Sequence, residues 1–132
     1  MTYAATLSAV AGASVTGVTR AYTTRPISVQ TADLPASFVE LPNGSLDNSV
    51  PICDSINQTR NVTHVVLVEA AGQEMTATAF GATVAMVDNV VAMLNANEFG
   101  LTQTWTINAQ AVQTLDGVAY WGVVTSLSIR GD

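Results

Sequence analysis

Lysine is absent from this sequence, and its four arginines, Arg20, Arg25, Arg60 and Arg130, are spread along the chain. Proteins that bind nucleic acid neutralise phosphates with several clustered Lys and Arg side chains. Four scattered arginines against ten acids, for a net charge of −6, cannot form such a patch. The composition therefore excludes a nucleic-acid-binding domain of the usual basic kind.

Charge of either sign is scarce, since 11% of the 132 residues are charged while 48% are hydrophobic. Soluble domains usually contain about 25% charged residues. The surface must therefore be covered either by neutral polar side chains or by neighbouring subunits. We favour neighbouring subunits, because the cores of protein interfaces are depleted in charge. The length is that of one domain, and we assign residues 1–132 to a single α+β domain.

Histidine and cysteine occur once each, as His64 and Cys53. Zinc sites need clusters of these residues, and a lone cysteine excludes an internal disulfide. Asp47 and Asp54 share a polar segment, but their spacing does not match a calcium-binding loop. A general base also needs a positioned partner, and none is marked near His64. We therefore predict no metal, no cofactor and no catalytic residues, and a protein that is not an enzyme.

Two segments have helical periodicity. Residues 2–11 form a short helix, with Thr2 as a candidate N-cap. Residues 76–97 form a long helix with two apolar stripes, the first containing Phe80, Val84, Val87, Val91 and Leu94 and the second Met86, Val90 and Met93. Such an apolar helix is expected to be covered on more than one side. Asp88 at its centre argues against a membrane span, and no membrane partner is predicted.

Strand patterns account for most of the remaining chain. Residues 15–29 are extended, 37–41 and 60–70 are strands, and 102–115 and 118–130 form a hairpin around Asp116-Gly117. The order of elements predicts an α+β fold. In it a mostly antiparallel sheet of about four strands carries the long helix on one face, beside the short N-terminal helix.

The hairpin has apolar residues on both faces. A two-residue turn would pair Leu115 with Val118, and would place Trp105 on the same face as Tyr120, with Trp121 on the opposite face. Either a bulge shifts this register, or both faces are covered. In the second case one face takes the long helix and the other needs a partner subunit.

Residues 42–59 (PNGSLDNSVPICDSINQT) read as a long loop, because they contain Asn43-Gly44, two prolines and many polar residues. Loops of this length are usually functional or disordered. Scattered apolar residues leave two interpretations open. The loop either docks onto another molecule or packs on its own domain.

This arrangement resembles the tail terminator proteins of long-tailed (siphovirus-type) bacteriophages. The resemblance lies in Asp33-Leu34-Pro35-Ala36 leading into the strand 37–41, in the strand 61–69, and in the hairpin 105–129. It spans nearly the whole chain and concerns the order of elements. The scarcity of charge departs from the family, many of whose members carry more ion pairs.

The resemblance implies a structural virion protein, located in the phage tail and neck after assembly in the host cytoplasm. Family members form a homo-hexameric ring that caps the tail tube and joins it to the head connector or stopper protein. DNA passes through the central channel. Six copies of an acidic, Lys-free chain would give an acidic channel that repels DNA, so DNA would be passing cargo rather than a bound partner.

Three other functions remain open. A head-completion, neck or tail tube subunit would share the same need for neighbours. A small-ligand-binding or enzymatic α+β domain would use His64 or Asp33 in a pocket. A secreted adhesin or pilus-like subunit would explain the abundance of Thr, Ala and Asn, although the N-terminus lacks the basic region of a signal peptide.

Overall fold

A computed structural model describes residues 2–41, 46–48, 58–72 and 74–131, with the backbone alone for 46–48 and Gln58. Two α-helices and six strands make up the fold. In chain order they are α1 (Tyr3–Gly12), β1 (Arg20–Ala21), β2 (Ala36–Glu40), β3 (Leu46–Asn48), β4 (Gln58–Ala70), α2 (Ala77–Ala96), β5 (Thr102–Gln113) and β6 (Ala119–Arg130), with a 3-10 turn at Thr31–Asp33 between β1 and β2.

The strands form one sheet in the order β1-β2-β4-β6-β5, and β3 pairs with β4 beyond the end of β2. All pairs are antiparallel except β1 with β2. The predicted α+β fold is confirmed, with six strands where about four were expected. The two additional strands, β1 and β3, have two and three residues, too few to show a period in the sequence.

The loop predicted at residues 42–59 is partly wrong. Leu46 pairs with Arg60 and Asn48 with Gln58, so β3 and the first residues of β4 lie inside that segment. Polar strands such as these lack the apolar alternation on which a strand prediction depends. The remaining residues of the segment, among them Cys53, lie outside the described residues. The two interpretations of the loop, docking onto another molecule or packing on its own domain, fall on those residues.

Both helices begin where the sequence predicts. The Thr2 and Thr76 hydroxyls accept hydrogen bonds from the amides of Ala5 and Ala79, each at 3.1 Å. An N-cap of this kind satisfies one of the amides that a helix start leaves without an intrahelical partner. Asn97 ends α2, and its side-chain amide donates to the Met93 carbonyl at 2.7 Å.

The hairpin turn is one residue longer than predicted. Gln113 pairs with Ala119, which leaves a three-residue loop between Thr114 and Val118. Gly117 has a φ of +86°, the left-handed conformation typical of three-residue loops that end in a bulge. The Asp116 carboxylate accepts bonds from the Thr114 hydroxyl and the Val118 amide, which lower the pKa of Asp116.

The longer turn corrects the assignment of faces. Trp105 pairs with Leu127, and Ala111 pairs with Trp121, so these residues share one face. Placing Trp105 on the face of Tyr120 was therefore wrong, because the longer turn shifts the pairing of the two strands by one residue. Trp105, Ile107, Ala109 and Ala111 of β5 lie on the same side of the sheet as both helices, and Val112 lies on the other side.

The main core lies between the sheet and the helices. It includes buried residues from α1, β2, β4, α2 and β6, namely Val10, Val39, Val62, Val66, Met86, Val90, Met93, Val123, Leu127 and Ile129. β4 is buried along its whole centre, from Val62 to Val68, as expected of a central strand. The long helix thus packs on one face, as predicted.

The second face of the sheet has its own smaller core, formed by Phe38, Val65, Leu67, Val112 and Tyr120. The segment between β1 and β2 crosses this face and covers the cluster. The Tyr120 hydroxyl donates to the Val29 carbonyl at 3.2 Å. The expectation that this face needs a partner subunit is wrong at this end of the sheet, because the chain covers it with residues that have no periodic pattern.

Candidate functional site

His64 lies in the main core and not in a pocket. Its side chain is 2% exposed, on the helix-facing side of β4, directly opposite Val39 on β2 and Thr125 on β6. Its Nδ1 atom and the Thr125 hydroxyl are buried without hydrogen-bond partners among the described residues. Burial lowers the pKa of His64 to about 4. Solvent does not reach the ring, so this conformation gives a substrate no access to it.

The buried imidazole predicts acid-sensitive stability. In the unfolded chain His64 takes up a proton below its ordinary pKa of 6.5, whereas in the folded chain it stays neutral to about pH 4. Because the unfolded state binds more protons in this window, stability is lost as the pH falls through it. At about 1.4 kcal/mol per pKa unit, we expect a loss of about 3 kcal/mol.

Urea unfolding at pH 7 and at pH 4 measures this loss, with His64→Gln as the matched control. Both proteins share every carboxylate, so their difference in pH dependence reports His64 alone. Parallel pH profiles would show that the imidazole is protonated in the folded protein or is not desolvated.

The other residues considered for chemistry do not converge. The Asp33 carboxylate forms an ion pair with the Arg20 guanidinium at 3.4 Å, near β1, at the edge of the sheet opposite to β5. Cys53 and Asp54 lie outside the described residues, and the side chain of Asp47 is not described. Among the residues that are described, no group of three His, Cys, Asp or Glu could hold a metal ion.

Among the described helices, α2 alone is long and apolar enough to cross a membrane, with a mean hydropathy of 1.5. This is a weak indication, since core helices of soluble proteins satisfy the same criterion. α2 packs on the sheet through one stripe that includes Met86, Val90 and Met93. Only 33% of its most apolar stretch is buried. The apolar surface of α2 that does not face the sheet therefore needs an explanation other than a membrane span.

That outer surface includes Phe80 and Val84 of the first apolar stripe, on the β5 side of α2, whereas Leu94 of the same stripe is buried in the core. Asn89, on the opposite side of α2, donates to the Thr16 carbonyl at 2.9 Å, on the side of α1. Leu94 and Trp105 line one shallow cavity between the end of α2 and the start of β5. The stripe containing Phe80 and Val84 therefore flanks the uncovered part of β5.

We call this surface the α2/β5 flank: Phe80, Val84, Val87 and Val91 of α2, with Trp105, Ile107, Ala109 and Ala111 of β5. Phe80 is 60% exposed, Val84 47% and Trp105 38%. Val87 and Ile107 are half-buried at the edge of the main core, so the flank is continuous with it. Monomeric proteins seldom leave such contiguous apolar surface in water.

β5 is also an edge of the sheet, because within the described chain its one neighbour is β6. Its 12 residues include no charged residue and no proline. Soluble proteins usually protect long edge strands with lysine, proline or bulges, since an open edge pairs with other strands. The α2/β5 flank thus combines exposed apolar side chains with unprotected backbone.

A second apolar surface lies towards the other edge of the sheet, and we call it the α1/β2 cleft. It has a volume of about 650 Å³ and is bounded by α1 and the end of β2, with lining residues Leu7, Ser8, Ala11, Tyr22, Val39 and Leu41. Leu41 is 58% exposed. The charges at its edge neutralise each other, since Arg25 makes bonds of 3.0 and 2.8 Å to the Glu40 carboxylate.

The second face of the sheet is mostly polar beyond its small core. Its described residues include Asn61, Thr63, Thr104, Thr106, Ser126 and Ser128, on β4, β5 and β6. Ser128 donates to the Asn61 side chain at 2.6 Å. This face offers mainly hydroxyl and amide groups, and its charged groups are the Arg25–Glu40 pair and, at the end of β6, Arg130.

No protein-family model matches the sequence, and no curated protein matches it significantly. The likeness to tail terminators therefore rests on the order of elements alone. The geometry contains two apolar surfaces, of which the sequence analysis anticipated only the outer side of α2. The signal for the first was present, because both stripes of α2 are apolar and only one can face the sheet. The cleft has no signal in the sequence.

Proposed function

We propose that this chain is a structural subunit whose working state is an assembly of identical copies. The observation that carries the proposal is the α2/β5 flank, where Phe80 and Trp105 are exposed beside an edge strand without charges. Such a surface exposes hydrocarbon and unpaired backbone together, and another protein chain covers both at once. A chain with 11% charged residues has little else with which to hydrate it.

Within this class, we propose the function of a tail terminator in a siphovirus-type phage. The order of elements supports it: a short helix, the Leu34-Pro35 turn before β2, the long strand β4, a long helix and a final hairpin. A homo-hexameric ring would cap the tail tube and meet the head connector or stopper protein. A head-completion, neck or tail tube subunit would use the same surfaces.

A channel lined by the second face of the sheet would be mostly neutral rather than acidic. Most described residues of that face carry hydroxyl and amide groups, and its charged groups are the Arg25–Glu40 pair and Arg130. Phosphate contacts by clustered Lys and Arg hold a DNA duplex. This surface has no such cluster among the described residues, since Arg25 is paired with Glu40 and Arg130 lies at the end of β6.

Native mass spectrometry of the purified chain, with electron microscopy of the same sample, tests the proposal. We expect a closed oligomer with a central opening, and six copies for a tail terminator. The Leu115→Asp variant is the control, because Leu115 is an exposed apolar residue in the hairpin turn, outside both apolar surfaces. A chain that stays monomeric at every attainable concentration would contradict the proposal.

A further inference from the structure

The two apolar surfaces of this chain lie towards opposite edges of one sheet. The α2/β5 flank adjoins β5, the last strand in the sheet order, and the α1/β2 cleft adjoins β1 and β2, the first two. The flank projects aromatic side chains, and the cleft is concave. A patch on one side of a molecule that complements a pocket on another side makes a head-to-tail contact, and such contacts form a ring when the rotation between neighbours closes.

We propose that the α2/β5 flank of one copy docks into the α1/β2 cleft of the next copy. This inference rests on the proposed self-assembly and names the contact that would produce it. Phe80 and Trp105 would be the inserted side chains, and Leu41 and Ala11 part of the receiving wall. The contact is directional, so each copy uses its flank on one neighbour and its cleft on the other.

Charge supports a second copy of this chain as the occupant. β5 has no charged residue, and among the described residues that line the cleft the charged ones, Arg25 and Glu40, form an ion pair at 2.8 Å. A partner rich in Lys or acidic residues would leave desolvated charges opposite either surface, which is costly. The chain itself, which has no lysine and few charges, matches both surfaces.

Size supports the same occupant. A helix of 20 residues is about 30 Å long, and with the adjacent strand it is about 15 Å wide. The flank therefore offers on the order of 500 Å² before its corrugation is counted, and a specific interface needs about 600–1,000 Å² per partner. A free peptide or small molecule in the cleft of about 650 Å³ would leave the flank uncovered.

The test uses one variant on each surface. Phe80→Asp changes an exposed residue of the flank, and Leu41→Asp changes an exposed residue of the cleft, at 60% and 58% exposure. Neither residue lies in the core, so circular dichroism should show the fold of the wild type. Truncating a central interface residue typically weakens association by about 30-fold or more. We therefore expect each variant alone to associate at least about 30-fold more weakly than the wild type, so that the closed oligomer is lost.

Mixing the two variants gives the decisive result. The Phe80→Asp chain retains an intact cleft, and the Leu41→Asp chain retains an intact flank, so an equimolar mixture should form a 1:1 dimer and stop. Native mass spectrometry with one variant isotopically labelled reads this directly. Leu115→Asp, the matched control, should assemble like the wild type.

The alternatives give different results. If the wild type assembles and both variants assemble equally well, the contact is wrong while the proposed assembly stands. If each variant blocks assembly but the mixture stays monomeric, the surfaces do not face each other and the head-to-tail contact is wrong. If the wild type is itself monomeric throughout, the proposed function fails and the contact fails with it.

Discussion

Replacing Phe38 with alanine should lower the free energy of unfolding by about 4 kcal/mol. The ring is 1% exposed and belongs to the small core on the second face of the sheet, with Val65, Leu67 and Tyr120. The Arg25 guanidinium lies over it, 5.5 Å from the ring centre. Removal of the Phe38 ring would leave a cavity that the backbone cannot close, because β2 is held by its pairing with the central strand β4.

Chemical denaturation of Phe38→Ala measures this loss, and Phe80→Ala is the matched control. The same truncation at Phe80, which is 60% exposed, should change stability by less than about 0.5 kcal/mol. An equally small effect at Phe38 would mean that the second face is not a core in the single chain. It would then have to be covered by another subunit, as the hairpin pattern first suggested.

Replacing Leu127 with alanine should lower the free energy of unfolding by about 3 kcal/mol through the main core. Leu127 is 1% exposed and lies between Val62 of β4 and Trp105 of β5. Trp105 lies on the edge strand β5 and has room to shift into part of the space. We therefore expect a smaller loss of stability for Leu127→Ala than for Phe38→Ala.

Leu115→Ala is the control for this second prediction, because the same side chain is 65% exposed in the hairpin turn. Both leucine variants should be compared by urea unfolding at concentrations below those at which the wild type assembles. Equal stability of the two variants would contradict the placement of β6 beneath α2.

These predictions separate the stability of the chain from its assembly. Phe38 and Leu127 are covered by the chain itself, on opposite faces of the sheet, so their truncation should destabilise the fold. Phe80 and Leu41 are exposed, so their loss should affect association while leaving the fold intact. The same hydrophobic composition thus serves two purposes, which the exposure of each residue distinguishes.

Most of the regular elements could be predicted because their sequence carries a period. α2 has two apolar stripes and a threonine cap at Thr76, and β4 has apolar residues on both faces. Those patterns depend on local geometry alone. The α+β fold followed from the order of the elements, since a sheet with one apolar face needs a helix to cover it.

What could not be predicted depended on contacts that no local pattern encodes. The hairpin register turned on whether Gly117 closes a two- or a three-residue loop, and Asp-Gly is compatible with both. The segment that covers Phe38 and Tyr120 is irregular, so its course across the sheet has no periodic signal. Which stripe of α2 faces the sheet was undetermined for the opposite reason, because both stripes are apolar.

The candidate surfaces were predictable only in kind. The scarcity of charge indicated that apolar surface on the long helix and on the hairpin would need a neighbour. In the structure that exposed surface lies at the side of α2 and β5, where Phe80 and Trp105 are exposed. His64, the one residue that suggested chemistry, is enclosed in the core.

The neutral edge strand has a practical consequence for handling this protein. Sodium chloride dissolves complexes held by opposite charges, because mobile ions screen them within about 10 Å at moderate concentration. An association through β5 and the cleft would not respond in this way, and sulfate, which strengthens the burial of hydrocarbon, would tighten it. Dissociating such assemblies would require urea or guanidinium instead of sodium chloride.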